Sequence, residues 1–139
     1  MKASVYHVPL NVADAKVSVP FYEALLGYLE YRVVVGTSDL LGMSNGTMDF
    51  WIVQTAAERV VEGFHRKDPG LNHVAFRVGR REDVDRFRDE FLEARGIAAL
   101  YGGPREYPEY RPGYYAVFFE DPDRLKLEVA YVPGAMDVR

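Results

Sequence analysis

Apolar and polar side chains alternate over residues 4–11. His7 shares one face of this pattern with its neighbours at positions 5 and 9, and the other face carries Tyr6, Val8 and Leu10. Alternation of this kind is typical of a strand with one buried face. The segment is therefore predicted to be a strand that turns His7 away from the core.

A helical spacing of apolar residues follows and ends near Leu26. Proline lacks a backbone donor and clashes with the preceding turn inside a helix, so Pro20 fits best in a first turn. We therefore predict that the helix has Ser18 as its N-cap and ends at Gly27.

The same order of elements then occurs twice. β-branched and aromatic residues predict strands at 28–35, 40–44 and 49–54, the last two joined by an Asn45-Gly46 turn. A charged connector at 55–70 follows. After it we predict a strand at 72–78, a helix at 81–95, a short strand at 97–100, an irregular loop at 102–113, and strands at 114–119 and 125–131.

The two halves are also similar residue by residue. The segment from His7 to Leu10 corresponds to that from His73 to Phe76 at an offset of 66 residues (73 − 7). One strand–helix–strand–strand–strand unit cannot bury both its helix and its sheet face alone. We predict a single domain over 1–139, with module one at about 1–57 and module two at about 70–133.

Composition narrows the functional classes. The net charge of −4 argues against a nucleic-acid partner held by a general positive field. No stretch approaches the ~20 apolar residues that span a bilayer, so no membrane partner is expected. The sequence has no cysteine, which excludes thiolate metal sites and cysteine nucleophiles. The first residues lack the apolar core of a signal peptide, and a cytoplasmic location is expected.

Three segments carry a family signal. They are FYEALLG at 21–27, LNHVAFRV at 71–78 and FFEDPDRLKLEV at 118–129. In this order they resemble the vicinal oxygen chelate superfamily of glyoxalases, extradiol dioxygenases, bleomycin-resistance proteins and fosfomycin-resistance enzymes. Arg124 stands where the family usually has glycine. The resemblance implies an α+β fold of two paired βαβββ modules in a curved, incomplete barrel, and a homodimer.

Three side chains fall on the strand faces opposite the predicted helices: His7, His73 and Glu128. A single strand histidine is more often an ordinary surface or core residue, but here two occupy equivalent places in a repeat. Two imidazoles and a carboxylate suit Fe, Mn, Ni or Zn with open coordination positions. The resemblance implies that a small substrate chelates this ion through adjacent oxygens, and that the ion stabilises an enolate or alkoxide.

The fourth family ligand is missing. Aligning residues 50–52 with 127–129 places Trp51 where glyoxalases carry a second glutamate, and an indole cannot ligate a metal. Asp49 could ligate only if the register slipped. A three-ligand set resembles the extradiol dioxygenases and the fosfomycin-modifying enzymes instead. Trp51 either forms a wall of an aromatic pocket or seals the core.

Other residues are assigned more general roles. Tyr114 is the candidate proton donor, and the candidate substrate contacts are Trp51, Arg77, Arg111 and Phe118. The leading hypothesis is a metal-dependent lyase, isomerase or dioxygenase acting on a small molecule. The alternatives are a metal-free binding protein of the bleomycin-resistance type and a thiol transferase of the fosfomycin-modifying type.

Overall fold

The computed structural model describes residues 1, 3–60 and 63–134. It consists of two compact units, Met1–Phe64 and His65–Arg139, whose boundary lies within the predicted connector. Each unit contains one four-stranded sheet and a helix, so the predicted α+β class is confirmed. None of the described helices is long and apolar enough to cross a membrane.

The first unit contains strand β1, helix α1 and strands β2 to β4. Their bounds are His7–Val12, Ala15–Tyr28, Arg32–Gly36, Leu40–Ser44 and Asp49–Gln54. The sheet order is β1-β4-β3-β2, with β1 parallel to β4 and the other pairs antiparallel. Helix α1 packs on β3 and β4, and Leu25, Leu26, Phe50 and Ile52 are buried there.

The predicted start and end of α1 are wrong. Asp14 is the N-cap, and its carboxylate accepts a hydrogen bond from the Lys16 amide at 2.9 Å. Pro20 therefore lies inside the helix, and Ser18 is a buried residue of it. The helix continues through Gly27 to Tyr28. Burial of one helical face outweighs the hydrogen bond that proline cannot make.

The second unit contains β5, α2 and β6 to β8. Their bounds are His73–Val78, Arg81–Phe87, Leu100–Glu106, Tyr115–Glu120 and Lys126–Tyr131. The sheet order is β5-β8-β7-β6, with the same directions as in the first unit. Helix α2 continues as a π-helical turn at Arg88–Leu92 and a 3-10 turn at Glu93–Arg95, so the predicted helical span is confirmed.

Strand β6 corrects the predicted irregular loop. It extends to Glu106, well into the region expected to lack regular structure. Gly102 and Gly103 have φ of 84° and 92°, and the pairing of β6 with β7 shifts register between Leu100 and Arg105. The two glycines permit a bulge that L residues adopt rarely, which keeps the segment in the sheet.

Burial follows the predicted alternation in β1 and β5. Positions His7 and His73 are exposed, whereas Leu10 and Phe76 are buried. Strand β8 differs because four successive residues, Leu127–Ala130, are buried. Glu128 is therefore a buried acidic residue on the sheet face opposite its apolar neighbours.

Candidate metal centre

The strand registers define equivalent positions in the two units. Pro9 pairs with Trp51 between β1 and β4, and Ala75 pairs with Glu128 between β5 and β8. Since Pro9 corresponds to Ala75 in the repeat, Trp51 occupies the place of Glu128. Asp49 pairs with His7, so the register slip that would make Asp49 the equivalent carboxylate does not occur.

In the first unit, Trp51 packs against a glycine. Gly42 is the register partner of Trp51 on β3, and a Cβ built at position 42 would lie 2.7 Å from Cζ3 of the indole. Only glycine leaves room for the ring in this arrangement. His7 is exposed on β1, and its ring makes an edge contact with Tyr6 at 5.5 Å between centroids.

In the second unit, His73 and Glu128 face each other. The distance between His73 Nε2 and Glu128 Oε2 is 3.3 Å, and the Glu128 side chain is only 2% exposed. Parallel strands β5 and β8 fix this pair, because Glu128 lies two residues beyond Lys126, the register partner of His73, and therefore on the same face. A carboxylate this deeply buried needs a cation or hydrogen-bond donors around it.

Asn72 supplies a hydrogen-bonding partner to the other ring nitrogen of His73. Asn72 Oδ1 lies 2.8 Å from His73 Nδ1, and Asn72 Nδ2 donates to the Arg66 carbonyl at 3.2 Å. The imidazole is therefore contacted at both nitrogens, by an amide on one side and by Glu128 on the other.

Tyr114 holds the second oxygen of Glu128. Its hydroxyl donates to Glu128 Oε1 at 2.6 Å. Burial raises the pKa of Tyr114 above its ordinary value, and the hydrogen bond and negative charge of Glu128 raise this pKa further. The phenol therefore stays protonated at neutral pH and remains a donor to the carboxylate.

Aromatic rings surround the pair. The Phe118 ring lies 6.3 Å from the His73 ring, and the Tyr107 ring lies 5.3 Å from that of Phe118. The Lys126 ammonium lies 5.3 Å from the Phe118 ring centroid. The Tyr107 hydroxyl is buried and has no hydrogen-bond partner within the described part of the chain. Around Glu128, apolar rings limit access of water.

The spacing of His73 and Glu128 fits two ligands of one ion. Two donors about 2.1 Å from a metal, at angles of about 90–109°, lie roughly 3.0–3.4 Å apart. Within the described residues of either unit, three ligating side chains do not come together. The second unit therefore offers two ligand atoms at the spacing that a single metal ion requires.

The comparison with known families decides the relationship. The model of the Glyoxalase/Bleomycin resistance protein/Dioxygenase superfamily matches residues 4–129. The chain belongs to this superfamily. Its repeated strand–helix–strand–strand–strand order confirms the resemblance inferred from sequence.

Three proteins illustrate the range of similarity to this chain. The uncharacterized protein YqjT of Bacillus subtilis strain 168 is 32% identical over 125 residues, which are 90% of this chain and 96% of YqjT. A provisionally assigned glyoxalase from Bacillus halodurans is 36% identical, with a TM-score of 0.80 over 92% of this chain and 95% of its own. Lactoylglutathione lyase from Agrobacterium tumefaciens is 19% identical, with a TM-score of 0.68 over 94% of each chain, and this likeness shows the fold alone.

Not all predicted site residues of this superfamily member come together. Arg77 lies four residues beyond His73 on β5, about 13 Å along the strand, and lines a separate cavity of about 380 Å³ with Gly79 and Tyr131. Arg111 is exposed, and its guanidinium donates to the Pro133 carbonyl at 3.3 Å. The structure thus groups His73, Glu128, Tyr114 and Phe118 in one unit and leaves both arginines outside this group.

Sequence reasoning missed Asn72. Alternation places neighbouring strand residues on opposite faces, which separates Asn72 from His73. Asn72 precedes the first residue of β5, however, and is not bound by that rule. The available signal in the sequence was an asparagine directly before a candidate metal ligand.

Proposed function

We propose that this superfamily member is a metal-dependent enzyme whose small substrate chelates a divalent ion through two neighbouring oxygens. The 3.3 Å spacing of His73 Nε2 and Glu128 Oε2 is the observation that carries the proposal. Such a pair would hold Fe, Mn, Ni or Zn, which accept mixed nitrogen and oxygen ligands. When bound, the ion acts as a Lewis acid that stabilises negative charge on a substrate oxygen.

His7 is proposed as the third protein ligand. Its support is the equivalence of His7 and His73 in the repeat and its exposed position on β1. With three ligands, two or three coordination positions stay open for a bidentate substrate. The contribution of His7 is tested directly by its alanine variant below.

The surrounding residues would prepare the carboxylate. Tyr114 donates to Glu128 Oε1, which leaves Oε2 directed towards His73. We therefore give Tyr114 the role of holding a ligand rather than that of a proton donor to substrate. Phe118 and Tyr107 are buried beside the pair and would exclude water from it. Excluding water strengthens every charge interaction at the site.

Trp51 bears on the type of reaction. A glyoxalase I reaction requires a second carboxylate as the base, and the equivalent place is occupied by an indole that packs on Gly42. Three ligands are compatible with lyase or isomerase chemistry without that base, with dioxygenation, and with thiol transfer of the fosfomycin-modifying type. Oxygen uptake with catechols and Fe(II) identifies a dioxygenase, and consumption of thiol with fosfomycin identifies a transferase.

Metal titration tests the proposal. Chelator-treated protein is titrated by calorimetry with Zn²⁺, Ni²⁺, Mn²⁺ and, without oxygen, Fe²⁺. We expect one ion per chain, with binding strongly weakened in His73→Ala and in His7→Ala. A protein that binds none of these ions would refute the metal-dependent function. Unchanged binding by His7→Ala would remove His7 from the ligand set.

A metal-free binding protein is the second candidate. The aromatic cluster beside Glu128 favours it, because partly buried Tyr114, backed by the buried rings of Tyr107 and Phe118, would offer an apolar surface to a planar molecule without an ion. A small-molecule complex that survives EDTA with unchanged affinity supports this candidate over the enzyme.

The quaternary structure and location are also proposed from family resemblance. We expect a homodimer in the cytoplasm. A sedimentation mass equal to that of one chain would contradict the dimer.

A further inference from the structure

Asn72 is placed to control the protonation pattern of His73. It lies immediately before β5, and its amide oxygen is 2.8 Å from His73 Nδ1. An amide oxygen can only accept a hydrogen bond. With the amide in this orientation, the proton of the neutral imidazole resides on Nδ1.

A second contact fixes the orientation of the amide. Asn72 Nδ2 donates to the backbone carbonyl of Arg66 at 3.2 Å. A rotated amide would place its oxygen against that carbonyl and its NH₂ against His73 Nδ1, so the Arg66 contact would be lost. The backbone near Arg66 is itself held because the Arg66 guanidinium forms an ion pair with Glu120.

The opposite side of the ring agrees with this assignment. His73 Nε2 lies 3.3 Å from Glu128 Oε2. A charge-assisted N–H···O⁻ bond is usually about 2.7–2.9 Å long, so the closer contact is at Nδ1. An unprotonated Nε2 beside a carboxylate oxygen requires a cation between the two atoms, which is where the proposed ion would lie.

We infer that Asn72 is a positioning residue that holds His73 in the Nδ1–H tautomer and so presents Nε2 as a ligand. The metal part of this inference rests on the proposed function, whereas the tautomer does not. Outer partners of this kind fix ring orientation and raise ligand basicity, and their loss costs about 10- to 100-fold in metal affinity.

The repeat supplies an internal contrast. Tyr6 is the equivalent of Asn72, and it contacts His7 through its ring at 5.5 Å between centroids. An aromatic edge provides no acceptor for Nδ1–H comparable to an amide oxygen. Control of the tautomer by the preceding residue is therefore expected for His73 and not for His7.

Nitrogen NMR of isotope-labelled, metal-free protein tests the tautomer. Spectra are recorded at a pH well above the ordinary pKa of histidine, where imidazoles are neutral. The chain has three histidines, and a His73→Gln variant identifies the relevant signals. We expect protonated Nδ1 in the wild type and in Asn72→Asp, which retains an acceptor. Asn72→Leu, which has similar volume and no acceptor, should shift His73 towards Nε2–H.

Zn²⁺ titration of the same three proteins gives the second readout. Affinity is expected to fall about 10- to 100-fold in Asn72→Leu and to be restored in Asn72→Asp. Both variants lose the contact with Arg66, so a purely structural role would weaken them equally. Circular dichroism verifies that both are folded.

The outcomes separate the inference from the proposed function. An Nε2–H tautomer in the wild type, or a tautomer unchanged in Asn72→Leu, overturns the inference whether or not Zn²⁺ binds. A tautomer that depends on Asn72 in a protein that binds no Zn²⁺ supports the inference and refutes the proposed function.

Discussion

The two units have the same strand order but carry different residues at two equivalent positions of the sheet. In the first unit, Trp51 stands beside Gly42, and in the second unit, Glu128 stands beside Phe118. In the first unit the bulky ring lies on β4 and the small residue on β3. In the second unit the ring lies on β7, the equivalent of β3, and the smaller side chain lies on β8. One sheet architecture thus supports a packed indole in one copy and a buried carboxylate in the other.

The neighbours of the two histidines differ in the same sense. His7 is preceded by Tyr6 and pairs with Asp49, whereas His73 is preceded by Asn72 and pairs with Lys126. An amide and a carboxylate therefore contact the His73 ring. The second unit contains a polar network around its histidine, and the histidine of the first unit has a simpler setting. The two units thus share a strand arrangement, whereas their side-chain chemistry is unequal.

Removing the carboxylate of the second unit should have the largest effect. Glu128→Gln keeps the size of the side chain and removes its charge, and we expect metal affinity to fall at least about 100-fold, since loss of an outer partner alone costs about 10- to 100-fold. Calorimetric titration measures this change. Glu106→Gln, which alters an exposed carboxylate paired with Arg81, is the matched control and should bind metal normally. Equal losses in both variants would contradict the assignment of Glu128.

Two adjacent tyrosines allow the stability contribution of the hydrogen bond to Glu128 to be compared with that of a hydrogen bond outside the candidate site. The Tyr114 hydroxyl donates to Glu128, and the Tyr115 hydroxyl donates to Asp85, both at 2.6 Å. Tyr114→Phe should lower the free energy of unfolding by about 1.5–3 kcal/mol, because a buried carboxylate loses a donor. Tyr115→Phe should cost about 0.5–1.5 kcal/mol, because the less buried Asp85 can bind water instead.

Urea denaturation of the metal-free proteins measures both values. Metal affinity should also decrease in Tyr114→Phe and stay unchanged in Tyr115→Phe. Similar stabilities and similar metal affinities in the two variants would show that Tyr114 does not hold Glu128.

The packing of the first unit can be disrupted at Gly42. Gly42→Ala forces a methyl group against the Trp51 ring, and overpacking of this kind costs about 1–3 kcal/mol in unfolding free energy. Gly36→Ala on the neighbouring strand is the control, since its Cβ would lie 3.6 Å from Val33 Cγ1. We expect the control to change stability by less than about 0.5 kcal/mol. Thermal or urea unfolding measures the stability of both variants. Equal stability of the two would contradict this packing.

The smallest effect concerns the turn before the last strand of each unit. Gly46 has φ of 85° in the first unit, whereas Arg124 has φ of 66° in the second. Arg124→Gly should raise the unfolding free energy by at most about 1 kcal/mol, because glycine adopts positive φ without steric cost, while its greater freedom in the unfolded chain offsets part of the gain. Gly46→Ala is the converse substitution and should destabilise the protein by about 1 kcal/mol. Stabilisation by both substitutions would show that backbone conformation does not govern these turns.

Much of the fold was accessible from the sequence. The period of two in residues 4–11 and 72–78 predicted β1 and β5 with the correct faces, and the repeat predicted the duplicated unit. The start of α1 and the extent of β6 were not predicted correctly. Pro20 is tolerated inside α1 because tertiary packing stabilises the helix, and two glycines form a bulge that keeps β6 in the sheet.

The candidate site divides in the same way. Sequence alone determined which residues could be ligands, because residue identity and strand parity require no knowledge of distance. Only the tertiary structure decided that His73 and Glu128 lie 3.3 Å apart, that Tyr114 bonds to Glu128, and that Arg77 lines a separate cavity. Contacts between side chains on different strands depend on register and on where each strand begins. A residue just outside a strand, such as Asn72, escapes the periodicity from which sequence patterns are read.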